Sequence, residues 1–255
     1  MDWLTPLRTH GLLQEGVLSA FVVGSAARGW HNARSDFDIY VVTGAERTAR
    51  VGTRMAVALD PPYVRKETFV WDNRRWEVTY WQDRQIGQVL DKISWQAYES
   101  GLIEEDPLTR QEELLLAHLG TSLPILGEEW LREARARLLE SAFRSYAVVR
   151  SLGAVDDGVE DALGQMEADD LESATISARI AFGHAIDALL ESEGEYGSYL
   201  PKWRPHRLRA CAPKAVSFAD YWDIETMRGY DQADPGPWIK YVLTVCQDIA
   251  IRLAV

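Results

Sequence analysis

Cysteine is scarce. The chain has two, Cys211 and Cys246, far apart in sequence and in no C-x-x-C pair, which argues against a disulfide framework or a zinc site. Long apolar runs are missing too, and none reaches membrane-spanning length without a charge. Met1 to Leu13 lacks a basic stretch followed by a long apolar one, so it does not read as a signal peptide. These absences set the expectation of a cytoplasmic protein with no membrane partner. Basic charge is in short supply, with 27 Lys and Arg against 39 Asp and Glu, a formal net charge of −12. That balance argues against a general nucleic-acid binder, which needs a positive footprint. It is compatible with a small cationic ligand. No internal repeat or low-complexity tract is present. What remains is 255 residues of ordinary apolar content, enough for one large domain or two modest ones.

The stretch that organises the rest is Phe21-Val22-Val23-Gly24-Ser25, then a polar loop, then Ser35-Asp36-Phe37-Asp38-Ile39-Tyr40-Val41-Val42. Val17 to Val23 is a continuous apolar run, the pattern of a strand buried on both faces. Asp36 to Val42 reads as a second strand, and strand alternation points Asp36 and Asp38 to the same side. Two carboxylates facing together repel, and such a pair suits a hard cation such as Mg²⁺, which takes one or two carboxylates plus substrate phosphates. Gly24 permits close backbone approach to a ligand, and Ser25 with the amides after it suits phosphate oxygens. Arg28 and Arg34 in the following loop are candidates for bidentate phosphate contacts.

Gly-Ser, ten residues, Asp-x-Asp and a hydrophobic run together resemble the motif of the polymerase-β-like nucleotidyltransferases, in particular the aminoglycoside nucleotidyltransferases. The resemblance covers about residues 15–82 by motif and the remainder by architecture. It implies an α+β chain, a mixed-sheet nucleotidyltransferase domain followed by a C-terminal α-helical bundle that binds substrate. The boundary is placed within 120–128, giving domains 1–122 and 123–255. It also implies a third acid on a later strand, and Glu77 in Trp76-Glu77-Val78 fits that context better than Glu67. The implied roles are Asp36 and Asp38 as catalytic magnesium ligands, and Glu77 as the catalytic acid that either completes the metal site or takes a proton from the attacking hydroxyl. Gly24, Ser25, Arg28 and, from the second domain, Lys202 would contact the nucleotide, ATP in the first instance. The expected partners are that nucleotide and a small acceptor, aminoglycoside-like by the resemblance and the acidic charge, in a monomer or homodimer. An alternative is an antitoxin of the same superfamily that binds or AMPylates a protein partner. The fusion of a helical half to the same chain argues against it.

Secondary structure is read as follows. Residues 3–15 form a short helix stopped by Gly16. Thr43 caps a helix over 44–59 carrying Val51, Met55 and Leu59. Glu67–Asp72 and Trp76–Trp81 form a hairpin. Arg84–Tyr98 and Leu108–Leu119 are helices, and 120–127 is a break. Trp130–Leu152, Leu171–Ser192 and Trp238–Leu253 are helices, with an interruption at Gly153–Gly158 and irregular chain over 194–213. His184 and Asp187 on the second of these read as packed groups more than as ligand contacts. The acidic groups Glu104-Glu105-Asp106, Asp156-Asp157 and Glu167–Asp170 read as solvated faces or helix starts.

Overall fold

In a computed structural model of the chain, residues 1–45, 52–101 and 108–253 are described. The order is α1 (Leu4–Thr9), β1 (Val17–Val23), α2 (Gly24–Ala27), β2 (Phe37–Thr43), β3 (Thr53–Ala56), β4 (Tyr63–Trp71), β5 (Arg74–Gln82) and α3 (Asp83–Lys92). It continues with α4 (Trp95–Glu99), α5 (Arg110–Thr121), β6 (Leu123–Leu126), α6 (Glu128–Glu140), α7 (Phe143–Glu167) and α8 (Leu171–Ser192). A 3₁₀ turn at Pro201–Trp203, α9 (Arg204–Cys211), α10 (Phe218–Glu225) and α11 (Gly236–Leu253) complete the described chain. A mixed sheet in the first half precedes helices in the second, so the fold class is α+β as the sequence implies. Two compact units divide between Phe143 and Arg144.

The first unit holds a six-stranded sheet of order β3-β4-β5-β2-β1-β6. β2 and β5 run parallel, and the other neighbours are antiparallel. One face buries Ala20 and Val22 of β1, Phe37, Ile39 and Val41 of β2, and Trp76, Val78 and Tyr80 of β5 under Leu7 of α1. The strands are apolar on this face because it is a core. On the opposite face Phe21 stacks on Trp130 of α6, and Tyr40 shares a 3.0 Å hydrogen bond with His118 of α5. That face therefore mixes aromatic cover at one end with polar groups at the other.

Several elements differ from the sequence reading, each for a local reason. Thr43 ends β2 instead of capping a helix, and its hydroxyl donates to Ala45 O at 2.8 Å. The region read as a helix over 44–59 contains β3, where Met55 pairs with Val64; Val51 lies outside the described residues. The Arg84–Tyr98 helix is two, because Ser94 starts α4 by accepting from Ala97 N. The 120–127 break contains β6, an edge strand against β1, and edge strands tolerate a residue such as Pro124. β6 and α6 consequently belong to the sheet's unit, which places the division of units after α6 and not at 120–128.

In the second unit α8 is central, as its nearly all-round apolar pattern requires. Ala178, Phe182, Ala185 and Leu189 pack with Ile239, Val242 and Cys246 of α11. The Trp130–Leu152 helix ends at Ser141, whose hydroxyl donates to Leu138 O and accepts from Phe143 N, closing α6 and opening α7. α7 then runs through Gly153 and Gly158 without interruption. A Cβ at Gly158 would stand 3.0 Å from the Ala181 Cβ, so this glycine serves a close helix crossing, not a break. Chain read as irregular over 194–213 contains α9, where Pro205 sits in the first turn, a position that suits proline. Both cysteines are free thiols. Among the described residues no helix is long and apolar enough to cross a membrane.

Candidate active site

The candidate site lies at the end of β1 and the start of β2. Val23, the last residue of β1, pairs with Asp38, which pairs in turn with Glu77 of β5. Glu77 pairs with Thr68 of β4. These four residues make one row across four strands about 4.8 Å apart, all pointing to one face. The chain leaves β1 at Gly24, whose φ of +65° is costly for other residues. A Cβ there would stand 3.2 Å from Asp38 Oδ2. The glycine thus brings the α2 backbone directly against the acid. Ser25 is half-buried in α2, and its carbonyl accepts from Trp30 N at 2.9 Å, folding the loop back.

Asp38 is the electrostatic centre of the row. Its carboxyl is pushed up to about 6, first by burial, next by the charge of Glu77, with Asp36 adding to the rise. Lys66 and Arg75 offset it only in part. No hydrogen bond or ion pair to the Asp38 side chain occurs among the described residues. Asp36 stands just ahead of β2, half-buried. Deeper along β2, Tyr40 is buried, and its hydroxyl is raised by burial and then by Asp38. His118, its partner, is pushed down to about 4 by burial and is therefore neutral.

Glu77 is differently placed. One oxygen is ion-paired with Lys66 Nζ and the other with Arg75 Nη2 at 2.5 Å. Lys66 comes from β4 and Arg75 from two residues earlier on β5, so both share the face of Glu77. Among the described residues no group of three His, Cys, Asp or Glu side chains is gathered so as to hold a metal ion. The donor set fits magnesium as a two-carboxylate site. Asp36 and Asp38 are adjacent hard oxygen donors lacking a direct countercharge, whereas the charge of Glu77 is already met by two cations. The expected role of Glu77 as a third metal ligand is not preformed.

The remaining candidates fall as follows. Arg28 is half-buried with its guanidinium 4.0 Å from the Trp30 ring centroid, and Arg34 is exposed. Lys202 belongs to the second unit, exposed on the 3₁₀ turn with its ammonium 5.3 Å from the Trp203 ring centroid. His184 is part-buried, and burial lowers its pKa first, against the pull of Asp187. Asp187 is fully buried and holds Arg204 at 2.7 Å through Oδ2 and Arg207 through Oδ1. It is a structural anchor with no oxygen to spare. Of the acidic groups, Asp156-Asp157 and Glu167–Asp170 are exposed, and Asp170 caps α8 by accepting from Ser173 N. Glu104-Glu105-Asp106 lies outside the described residues.

Lys66 and Arg75 were not among the sequence candidates. The signal for Arg75 was available, since it stands two residues before Glu77 in a strand. The signal for Lys66 required the hairpin register.

No family model matches the chain, and no curated protein matches it. It is similar in structure to a nucleotidyltransferase-like protein from Exiguobacterium sibiricum 255-15, known from a crystal structure, with a TM-score of 0.50. The match has 10% sequence identity and covers 98% of this chain and 74% of that one. At that identity the likeness concerns the fold, which is nucleotidyltransferase-like: a mixed sheet followed by helices.

Proposed function

We infer that the protein is a nucleotidyltransferase that moves a nucleoside monophosphate, AMP from ATP in the first instance, to a hydroxyl of a small acceptor. The observation that carries this reading is Asp38, an unpaired, half-buried carboxylate. It stands between the backbone of Gly24 on one side and Glu77 on the other. The nucleotide phosphates would lie along Gly24, Ser25 and the following amides. Asp36 and Asp38 would hold Mg²⁺, which when bound neutralises charge on the α-phosphate and on the departing pyrophosphate. The acceptor hydroxyl oxygen forms a bond to the α-phosphorus as the bond to the pyrophosphate oxygen breaks. Glu77 takes the hydroxyl proton, and for this its pairing with Lys66 and Arg75 has to loosen. Positioning and charge neutralisation carry most of such a reaction.

Arg28 as a nucleotide contact rests on its place in the loop after Ser25 and on guanidinium–phosphate pairing, Lys202 on the sequence resemblance, and an aminoglycoside-like acceptor on the resemblance and the acidic charge. The test is Glu77→Gln. A base of this kind contributes roughly 10²–10⁴-fold, so transfer should slow by about that factor while Mg²⁺-ATP affinity is kept. Unchanged transfer in that variant removes Glu77 from the chemistry.

A further inference from the structure

The ion pairs on Glu77 carry an implication about the acceptor, one that rests on the nucleotidyl-transfer reading. Two cations serve the one carboxylate of Glu77, so this cluster of three carries a net positive charge that faces the unpaired Asp38 along the row. Their exposure runs opposite to that of the acid. The Glu77 side chain is 10% exposed, Lys66 30% and Arg75 55%. Thr68, opposite Glu77, is exposed, and Val70, opposite Arg75, is 68% exposed. β4 and the start of β5 therefore form an open ledge on the sheet face, basic at its inner edge. It adjoins Glu77 and lies across β2 from Gly24 and Ser25. With nucleotide phosphates on the β1 side of Asp38, a reacting hydroxyl reaches the row from the β5 side, over this ledge.

We propose that Lys66 and Arg75 are an acceptor-binding pair that reads an anionic group, phosphate or carboxylate, on the molecule carrying the attacking hydroxyl. Glu77 occupies their positive charge when no acceptor is present. An arriving anion competes for the two cations and draws them outward, and the carboxylate left behind is then able to take the hydroxyl proton. The same residues thus couple acceptor binding to release of the base. A polycationic acceptor does neither, because it would meet Lys66 and Arg75 with like charge.

The test uses the full chain, labelled with ¹⁵N, in two arms. Binding is followed by NMR at Arg75 Nε and the Glu77 amide during titration with inorganic phosphate, glucose 6-phosphate, glucose and kanamycin. Transfer is followed as pyrophosphate release from Mg²⁺-ATP with the same three sugars. The expected result is saturable shifts with phosphate and glucose 6-phosphate only, weakened at least tenfold in Lys66→Met and Arg75→Gln. A native-like dispersed ¹⁵N–¹H spectrum shows that both variants remain folded, and their Mg²⁺-ATP affinity is expected to be retained. Shifts with kanamycin in preference to glucose 6-phosphate, or equal phosphate affinity in the variants, would overturn the proposal. Loss of ATP affinity in folded variants, or competition between ATP and phosphate for Arg75, would assign the pair to the nucleotide and overturn it as well. Absence of pyrophosphate release with every acceptor, alongside intact phosphate shifts, would count against the transferase reading and leave the anion site standing.

Discussion

Asp38→Asn offers the sharpest probe of the site, because the electrostatics of the acid can be read in stability, apart from the chemistry proposed for it. The Asp38 carboxyl is raised from 3.8 to about 6, mainly by burial and by Glu77. That difference corresponds to about 3 kcal/mol between its protonated and ionised forms. The sign follows from linkage. A carboxyl that holds its proton more tightly when folded stabilises the protein below about pH 3.8, and this contribution is lost as pH rises through about 6. Metal-free wild-type protein therefore bears at pH 8 an ionisation cost of up to about 3 kcal/mol, less where solvent reaches the carboxylate. Asparagine keeps the shape and removes the charge. In chelator at pH 8, Asp38→Asn should protect the β2 amides from hydrogen exchange by up to about two orders of magnitude more than wild type. At pH 3.5, with rates corrected for intrinsic exchange, the two should coincide. Adding Mg²⁺ at pH 8 should raise protection in wild type and leave the variant unchanged. Reading β2 amides isolates the first unit from the second, which need not unfold with it. A variant less protected than wild type at pH 8 without metal would refute the reasoning, since Asp38 would then be a stabilising charge.

Other expectations follow from single features. Gly24→Ala places a Cβ 3.2 Å from Asp38 Oδ2 at a φ of +65°; it should cost about 1–2 kcal/mol in first-unit stability and weaken Mg²⁺-ATP binding, both readable by calorimetry. Asp187→Asn leaves Arg204 and buried Arg207 poorly paired and should destabilise the second unit by about 3–5 kcal/mol, seen as faster exchange in α8 and α9. Glu191 is raised to about 7, first by burial, because its contact with Arg150 is long at 3.4 Å and the Ser151 hydroxyl offsets only part of the cost. Its contribution is present below about pH 4.5 and lost as pH rises through 7, so Glu191→Gln should stabilise the second unit at pH 8.5 and have no effect at pH 4 in thermal unfolding.

What could be read in the sequence was set by how local the cause was. β1 and β2 were legible because a strand buried on both faces writes itself as a continuous apolar run, and Gly24 and the two aspartates interrupt those runs visibly. Glu77 stood out as a carboxylate inside an aromatic strand, and the register sets it beside Asp38. Its partners were not. Reading the turn as Asp72–Arg75 left the hairpin register open, whereas the structure turns on Asp72 and Asn73, both at positive φ, and pairs Trp71 with Arg74. That two-residue turn sets Glu77 opposite Thr68 and brings Lys66 within reach.

β3 was misread because Val51, Met55 and Leu59 fall at helical spacing, and so short a segment does not distinguish the two periods. Gly153 and Gly158 carried the signature of a break, yet α7 runs through both; at Gly158 the close crossing with α8 offsets the poor helix propensity of glycine, whereas Gly153 faces open space. The Asp187 cluster was illegible for a related reason. Arg204 and Arg207 lie on α9, 17 and 20 residues beyond Asp187, and only the packing of α9 back against α8 brings them together.

The most direct measurement is the mass of the acceptor after incubation of the full chain with ATP, Mg²⁺ and a panel of hydroxylated small molecules. The account predicts an added AMP on at least one acceptor with stoichiometric pyrophosphate, abolished in Asp36→Asn and Asp38→Asn. Turnover that persists unchanged in both aspartate variants would contradict it.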